Sequence, residues 1–329
     1  MEGIAQLSDT ERKELFAETA IQKNISPAII EKDFWVCWTL KRIFKHPSLS
    51  KLLMFKGGTS LSKVFHLIER FSEDIDMILD WRVITSRNPL ENQSKTQQNK
   101  LNKEINDHAI AFIADELLPL IDKAIKPICS CSIDNEDKHN INIKYPSAFS
   151  DEYLRSEVLL EIGLLASWLP YKSYSITPYA AEAFPDVFKE PKCEVNATKA
   201  ERTFWEKVTI LHHEAHRPTN SPQPSRYSRH YYDMYMMANS EIKEIALNNL
   251  SILDDVVDFK NRFYPRGWAN YDLAKPGTIK LIPDDHILEN LKKDYKAMEN
   301  MIYGDYPDFN ELISDITLLE QEINNLSAS

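Results

Sequence analysis

The residues best equipped for chemistry lie between Met54 and Leu79, in the run MFKGGTSLSKVFHLIERFSEDIDMIL. In Glu73-Asp74-Ile75-Asp76-Met77, the apolar Ile75 and Met77 alternate with Asp74 and Asp76. A strand there puts both carboxylates on one face, their Cα atoms about 6–7 Å apart. Two like charges gain nothing from each other, but a hard cation such as Mg2+ takes oxygen ligands and bridges phosphates. Upstream, Gly57-Gly58 breaks the apolar run LLMFK, and Thr59-Ser60 offer an N-cap to a helix carrying Leu61, Val64, Phe65, Leu67 and Ile68. Glycines let backbone approach a ligand closely, and the free N–H groups of a first helical turn favour an anion, for which a triphosphate is suited. The chain has only seven glycines, so an adjacent pair is a conspicuous use of a scarce residue. A Walker-type loop is excluded, because it needs Gly-Lys-Ser/Thr and Lys63 follows Ser62.

A third acid comes from a separate strand. In Glu157 to Gly163, Val158, Leu160 and Ile162 share one face and Glu161 falls on the other. An acid in an apolar strand is costly unless it sits at an edge, is paired or binds metal. Beside Asp74 and Asp76, the last reading gives a ligand triad of the kind two-metal phosphoryl-transfer sites use.

The elements that must position these groups follow from periodicity. Ser8-x-x-Glu11 opens a helix to residue 22, and Ser26-Pro27 starts a second, strongly apolar one that is expected to pack on a central sheet. Within the second, Glu31-Lys32-Asp33 is either a solvated strip or a group near the site. The polar stretch 80–99 reads as loop, Lys100 to Ile125 as one long helix, and 128–133 with 140–145 as a hairpin. Helices are expected over 198–213, 229–238, 241–260, 284–302 and 308–325, with 262–282 irregular. The Pro/Ser/Asn run Arg217 to Arg226 reads as a mobile loop. Arg217, Arg226, Arg229 and His230 around it are either solvated or a cluster for phosphates or an RNA backbone.

Composition bounds the function. A length of 329 residues with 43% hydrophobic content suits two domains, expected at 1–194 and 195–329, the second mainly helical. No apolar run reaches the roughly 18 residues of a membrane span, and the N-terminus lacks a signal-peptide pattern, so no membrane partner and a cytoplasmic location are expected. A net charge of −11 argues against a protein that coats nucleic acid, though not against a local basic groove. Cys37, Cys129, Cys131 and Cys193 are few and irregularly spaced, and are expected to be free thiols. His212 and His216 share a helix face, but the metalloprotease pattern would need histidine at position 217, which is arginine.

Strand, Gly-Gly turn, helix and Asp-x-Asp strand in this order resemble the polymerase-beta-like nucleotidyltransferase fold. More specifically, the chain resembles the AbiEii/AbiGii nucleotidyltransferase toxins of abortive-infection and type IV toxin–antitoxin systems. The likeness rests on Glu31-Lys32-Asp33, Phe55-Lys56-Gly57-Gly58-Thr59-Ser60-Leu61, Arg70-Phe71-Ser72-Glu73-Asp74-Ile75-Asp76, Glu161, Glu201 to Lys207 and Arg229-His230-Tyr231-Tyr232-Asp233, over about residues 27–240. It implies an α+β protein, with a mixed sheet flanked by helices followed by a mainly helical C-terminal domain. It also implies transfer of a nucleotide from an NTP to a tRNA end or a protein, with Mg2+ or Mn2+ on Asp74, Asp76 and Glu161. By position, Gly57, Gly58, Thr59 and Ser60 would cradle phosphates, with Lys56, Lys63, Arg70, Ser72 and Arg229 binding nucleotide beside them. Lys207 would contact the triphosphate, and Asp233 would be a charge or orienting partner. A cognate antitoxin is the expected protein partner. Two alternatives stand beside this: a non-catalytic nucleotide-binding regulator, and an antibiotic-type nucleotidyltransferase acting on a small cationic acceptor.

Overall fold

Local signals start the fold as the sequence reading expects. Ser8 and Glu11 form a reciprocal capping box for helix α2 (Asp9–Lys23), which follows a single turn, α1 (Glu2–Ala5). Pro27 opens α3 (Pro27–Lys45), and a short α4 (Leu49–Leu52) leads into strand β1 (Leu53–Lys56), helix α5 (Gly57–Lys63) and strand β2 (Asp74–Leu79). Helices α6 (Lys95–Phe112) and α7 (Leu118–Ile125) follow, then β3 (Ser130–Ile133), β4 (Asn140–Lys144), β5 (Glu157–Gly163), β6 (Tyr171–Ile176), α8 (Tyr179–Ala183) and β7 (Cys193–Thr198). The computed structural model describes residues 1–72, 74–149, 155–164 and 170–326, so Glu73 of the expected strand lies outside the described residues. The chain divides into two units, residues 1–64 with 71–198, and residues 65–70 with 199–329.

The first unit is built on a seven-stranded mixed sheet in the order β3-β4-β5-β2-β1-β7-β6. β2 runs parallel to β5 and β1 parallel to β7, and the other pairings are antiparallel. Ile75, Met77, Val158, Leu160, Ile162, Ile141 and Ile143 are all buried and alternate with more exposed residues, so one sheet face is core. Helix α3 packs on β5 and β7 and carries Trp35 and Trp38, both fully buried. Glu31, Lys32 and Asp33 are buried too, at 1–3% exposure, which rules out the solvated strip.

Three local expectations need correction. Helix α5 begins at Gly57 with Lys56 as its N-cap, so Thr59 and Ser60 sit inside the first turn and do not cap it. Their hydroxyls have other acceptors: Ser60 Oγ donates to Gly57 O at 2.8 Å, and Thr59 Oγ1 donates to the carbonyl of Asp74. Helix α5 also stops at Lys63, before Phe65, Leu67 and Ile68. His66 turns the chain with φ +52°, and residues 65–70 are built into the second unit, where Tyr303 N donates to Glu69 O at 2.9 Å. The third correction concerns the long helix, which starts five residues early, at Lys95, under a Ser94/Gln97 capping box. Its Ile113–Leu117 segment is a π-helical turn, just before Pro119, which has no N–H to continue the regular ladder.

The second unit holds α9 (Ala200–Ala215), α10 (Ser228–Ala238), α11 (Glu241–Leu247), α12 (Ser251–Phe263), α13 (Asp285–Ala297) and α14 (Phe309–Asn325). Helix α9 packs against α10, α11 and α12 and buries Phe204, Trp205, Val208 and Leu211. The stretch 264–284 is largely irregular, as expected, and is held from α9 by His212. Lys280 N donates to His212 Nδ1 at 3.1 Å, and His212 Nε2 bonds Asn270 O at 3.0 Å. Both ring nitrogens are thus used by backbone, which explains this histidine without zinc. No helix among the described residues is long and apolar enough to cross a membrane.

Candidate active site

Sheet register assembles the acidic residues of the first unit. Asp76 on β2 is paired with Glu161 on β5 and with Lys56 on β1, and Glu161 is paired in turn with Asn140 on β4. Register partners share a sheet face at about 4.8 Å spacing, so Asn140, Glu161, Asp76 and Lys56 form one row across four strands. Asp74 lies two residues before Asp76 on that same face, opposite Leu159. All of these are partly exposed, while the alternating residues of the strands are core. The polar half of the alternation thus gathers both aspartates and Glu161, residues brought from positions 74, 76 and 161.

Gly57 fits against this row. Its φ is +81°, and a Cβ there would lie 1.9 Å from Asp76 Oδ2, 2.5 Å from Cγ and 2.8 Å from Cβ. Only glycine permits both the backbone conformation and the closeness. The turn and the Asp-x-Asp strand therefore interlock atom against atom. Thr59 ties the same turn to β2 through the carbonyls of Asp74 and Ser72.

Asp74, Asp76 and Glu161 offer the hard oxygen donors that Mg2+ or Mn2+ prefers. Among the described residues no three His, Cys, Asp or Glu side chains already converge as a cage. That is compatible with Mg2+, which is usually held by one or two carboxylates plus substrate phosphates and water.

Other expected residues are placed elsewhere. Lys63, at the end of α5, is 3% exposed, with Nζ 2.7 Å from Asp33 Oδ1 on α3 and 3.8 Å from the Tyr179 ring centroid. Burial works against its charge, but Asp33 outweighs burial and raises the Lys63 pKa.

The second unit has its own charged centre. Arg70 donates to both oxygens of Asp233, Nε to Oδ1 at 2.7 Å and one terminal nitrogen to Oδ2 at 2.8 Å. Lys207 Nζ donates to Asp233 Oδ2 at 2.7 Å and lies 3.0 Å from His230 Nδ1. Asp233 is fully buried. Burial pushes its carboxyl up, yet Arg70 and Lys207 win and hold it down at about 2. Burial lowers the Lys207 pKa, with Asp233 opposing, and burial followed by the charges of Lys207 and Arg229 drives His230 well below its usual range. His230 is therefore neutral and accepts at Nδ1. Asp233 is thus shared by two cations, Arg70 and Lys207.

Of the basic residues around 217–230, Arg217, Arg226 and His230 each have partners of their own. Arg217 is engaged by Glu214, at 2.8 and 2.6 Å, and by Pro222 O, and Arg226 N is anchored by Asp294 at 2.7 Å, so the loop is tied at both ends. Arg229 is exposed. Sequence reasoning missed Asp33 as the partner of Lys63 and His230 as the acceptor for Lys207. For His230 a signal existed, since it stands three residues before Asp233 and so shares its helix face.

The chain is similar in structure to JHP933 from Helicobacter pylori, at 14% identity and a TM-score of 0.44, covering 92% of this chain and 94% of that one. It is also similar to MenT4, a nucleotidyltransferase toxin from Mycobacterium tuberculosis H37Rv, at 14% identity and a TM-score of 0.45, covering 97% and 98%. Comparison with curated proteins found no match. The family model for the nucleotidyl transferase AbiEii toxin of type IV toxin–antitoxin systems matches residues 38–315, and the chain belongs to that family.

Proposed function

We propose that this nucleotidyltransferase moves an NMP from an NTP to an acceptor hydroxyl, on a tRNA end or a protein, in a Mg2+-dependent reaction in the cytoplasm, where a cognate antitoxin restrains it. The observation that carries the reading is the single-face row of Asp76 and Glu161, with Asp74 beside it and Gly57 packed on the Asp76 carboxylate. In this reading the acceptor oxygen bonds to the α-phosphorus, the bond to the bridging oxygen breaks, and pyrophosphate leaves. Asp74 and Asp76 would hold the divalent ion, with Glu161 as a third ligand. When bound, the ion supplies positive charge to the phosphoryl oxygens. Glu161 or Asp76 takes the acceptor proton. The turn at Gly57, Gly58, Thr59 and Ser60, together with Lys56 and Ser72, lies against the phosphates. Within the second unit, Lys207, Arg70 and Arg229 would be a positively charged group of the kind that binds an anion. Asp233 orients Lys207 and Arg70.

The test is transfer of label from α-labelled ATP, GTP, CTP or UTP with Mg2+ to bulk tRNA, to protein or to aminoglycosides. Label in the tRNA or protein fraction, absent with Asp76→Ala, is expected. Label confined to an aminoglycoside, or undiminished labelling by Asp74→Ala and Asp76→Ala, would refute the assignment.

A further inference from the structure

Glu31-Lys32-Asp33 is buried, and only one of its acids meets the Gly-Gly helix. Asp33 Oδ1 pairs with Lys63 Nζ at 2.7 Å, and Asp33 Oδ2 accepts Tyr179 N–H at 2.7 Å. Lys63 Nζ lies over the Tyr179 ring, 3.8 Å from its centroid. The two charged side chains are 3% and 4% exposed. Glu31, by contrast, accepts from Ser147 Oγ, Ala148 N and Phe149 N and does not touch the turn.

A buried ion pair is seldom more stable than apolar residues of similar volume, so stability is weak grounds for keeping one in this core. Its directionality is another matter. Helix α5 has seven residues, starts at Gly57 and ends at Lys63. At its start, Gly57 has no slack against Asp76, and two residues on, Thr59 is bonded to the carbonyls that lead into β2. At its end, Lys63 is ion-paired to Asp33 on α3, whose Trp35 and Trp38 are locked in the core. A short helix held at both ends cannot slide or rotate, whereas one held only at its start can pivot about the turn.

We propose that Asp33 and Lys63 are a positioning pair, which fixes α5 against α3 so that the Gly57-Gly58 turn keeps its place against Asp76. Neither residue touches the reacting atoms, and Lys63 serves the turn from behind. The inference rests on the nucleotide and metal reading above and adds to it a device that sets the affinity of that site.

The experiment uses the full chain. Asp33→Leu/Lys63→Met removes both charges with little loss of volume, Lys63→Arg keeps the charge but changes its reach over Tyr179, and Lys23→Met/Glu182→Leu removes an ion pair that also joins α8. Thermal midpoint, Kd for each of the four NTPs with Mg2+, and kcat for label transfer are measured for each. The double variant should melt within a few degrees of wild type, yet bind the preferred NTP about tenfold more weakly and turn over about tenfold more slowly, as a misplaced reactant does. Lys63→Arg should show the same losses while folded, and the Lys23/Glu182 control should show none. A purely structural pair would move the melting point and leave the Kd alone. Unchanged nucleotide affinity and turnover in either folded Lys63 variant overturns the pair while leaving the function standing. A wild-type chain that moves label from no NTP removes the function and, with it, the pair.

Discussion

Replacing Gly57 by alanine tests the interlock between the turn and the acidic strand. The added methyl would lie 1.9 Å from Asp76 Oδ2, and rotation of the carboxylate could relieve that contact. Rotation cannot relieve the 2.8 Å contact with Asp76 Cβ, so the turn must also lift from the strand. Alanine at φ +81° adds about 1–2 kcal/mol of backbone strain, and overpacking adds about 1–3 kcal/mol. The sum, about 2–5 kcal/mol, corresponds to a melting point lower by about 5–15 °C for a unit of this size. Because the displaced group is the carboxylate proposed to meet the metal, label transfer should fall at least about 100-fold, more than lost stability alone explains at 25 °C. Gly57→Ala/Asp76→Ala should recover only part of the stability, since Cβ and the positive φ remain, and none of the activity. Gly267→Ala, where a methyl meets nothing within 4 Å, is the matched control and should behave as wild type. Differential scanning calorimetry and initial rates of label transfer read both effects. A Gly57→Ala protein with wild-type melting point and rate would refute the reasoning.

The other predictions concern groups the fold has placed. Asp233→Asn leaves Arg70 and Lys207 buried without their counter-charge and should cost about 3–5 kcal/mol in urea unfolding. Because the Asp233 carboxyl is held at about 2, below the ordinary value of about 3.9, its contribution is complete above pH 4 and is lost as pH falls toward 2. Acid titration of wild type should therefore show a loss in that window that the Asn variant lacks. His212, driven by burial down to about 4 from about 6.5, stabilises fully above pH 6.5 and loses that contribution as pH falls through 4. His212→Ala should lower the melting point at pH 7, and EDTA should leave the wild-type melting point unchanged through this residue; a chelator-sensitive loss at His212 would restore the zinc reading. Glu161→Gln should leave the fold intact, because the strand face it occupies is partly exposed, and should cut label transfer by 10-fold or more, as loss of an acid–base group does.

Much of this protein was legible in the chain. Alternation over 74–79 and 157–163 named the strands and their acidic faces, because side chains alternate across a pleat whatever surrounds them. Caps and Pro27 named helix starts for the same local reason. Family membership followed from short blocks of sequence whose spacing the fold preserves. Register was not legible. That Asp76 stands beside Glu161 and Lys56 depends on which strands pair, and a shift of one residue would have sent Glu161 to the core. Nor could local pattern show that the apolar run after Lys63 leaves the helix to enter the second unit, since tertiary burial outweighs helical periodicity there. The partners of the buried charges, Asp33 with Lys63 and Asp233 with Arg70 and Lys207, lie 30, 163 and 26 residues apart. Residue type says only that such charges need a partner when desolvated; the folded chain alone decides which one they meet.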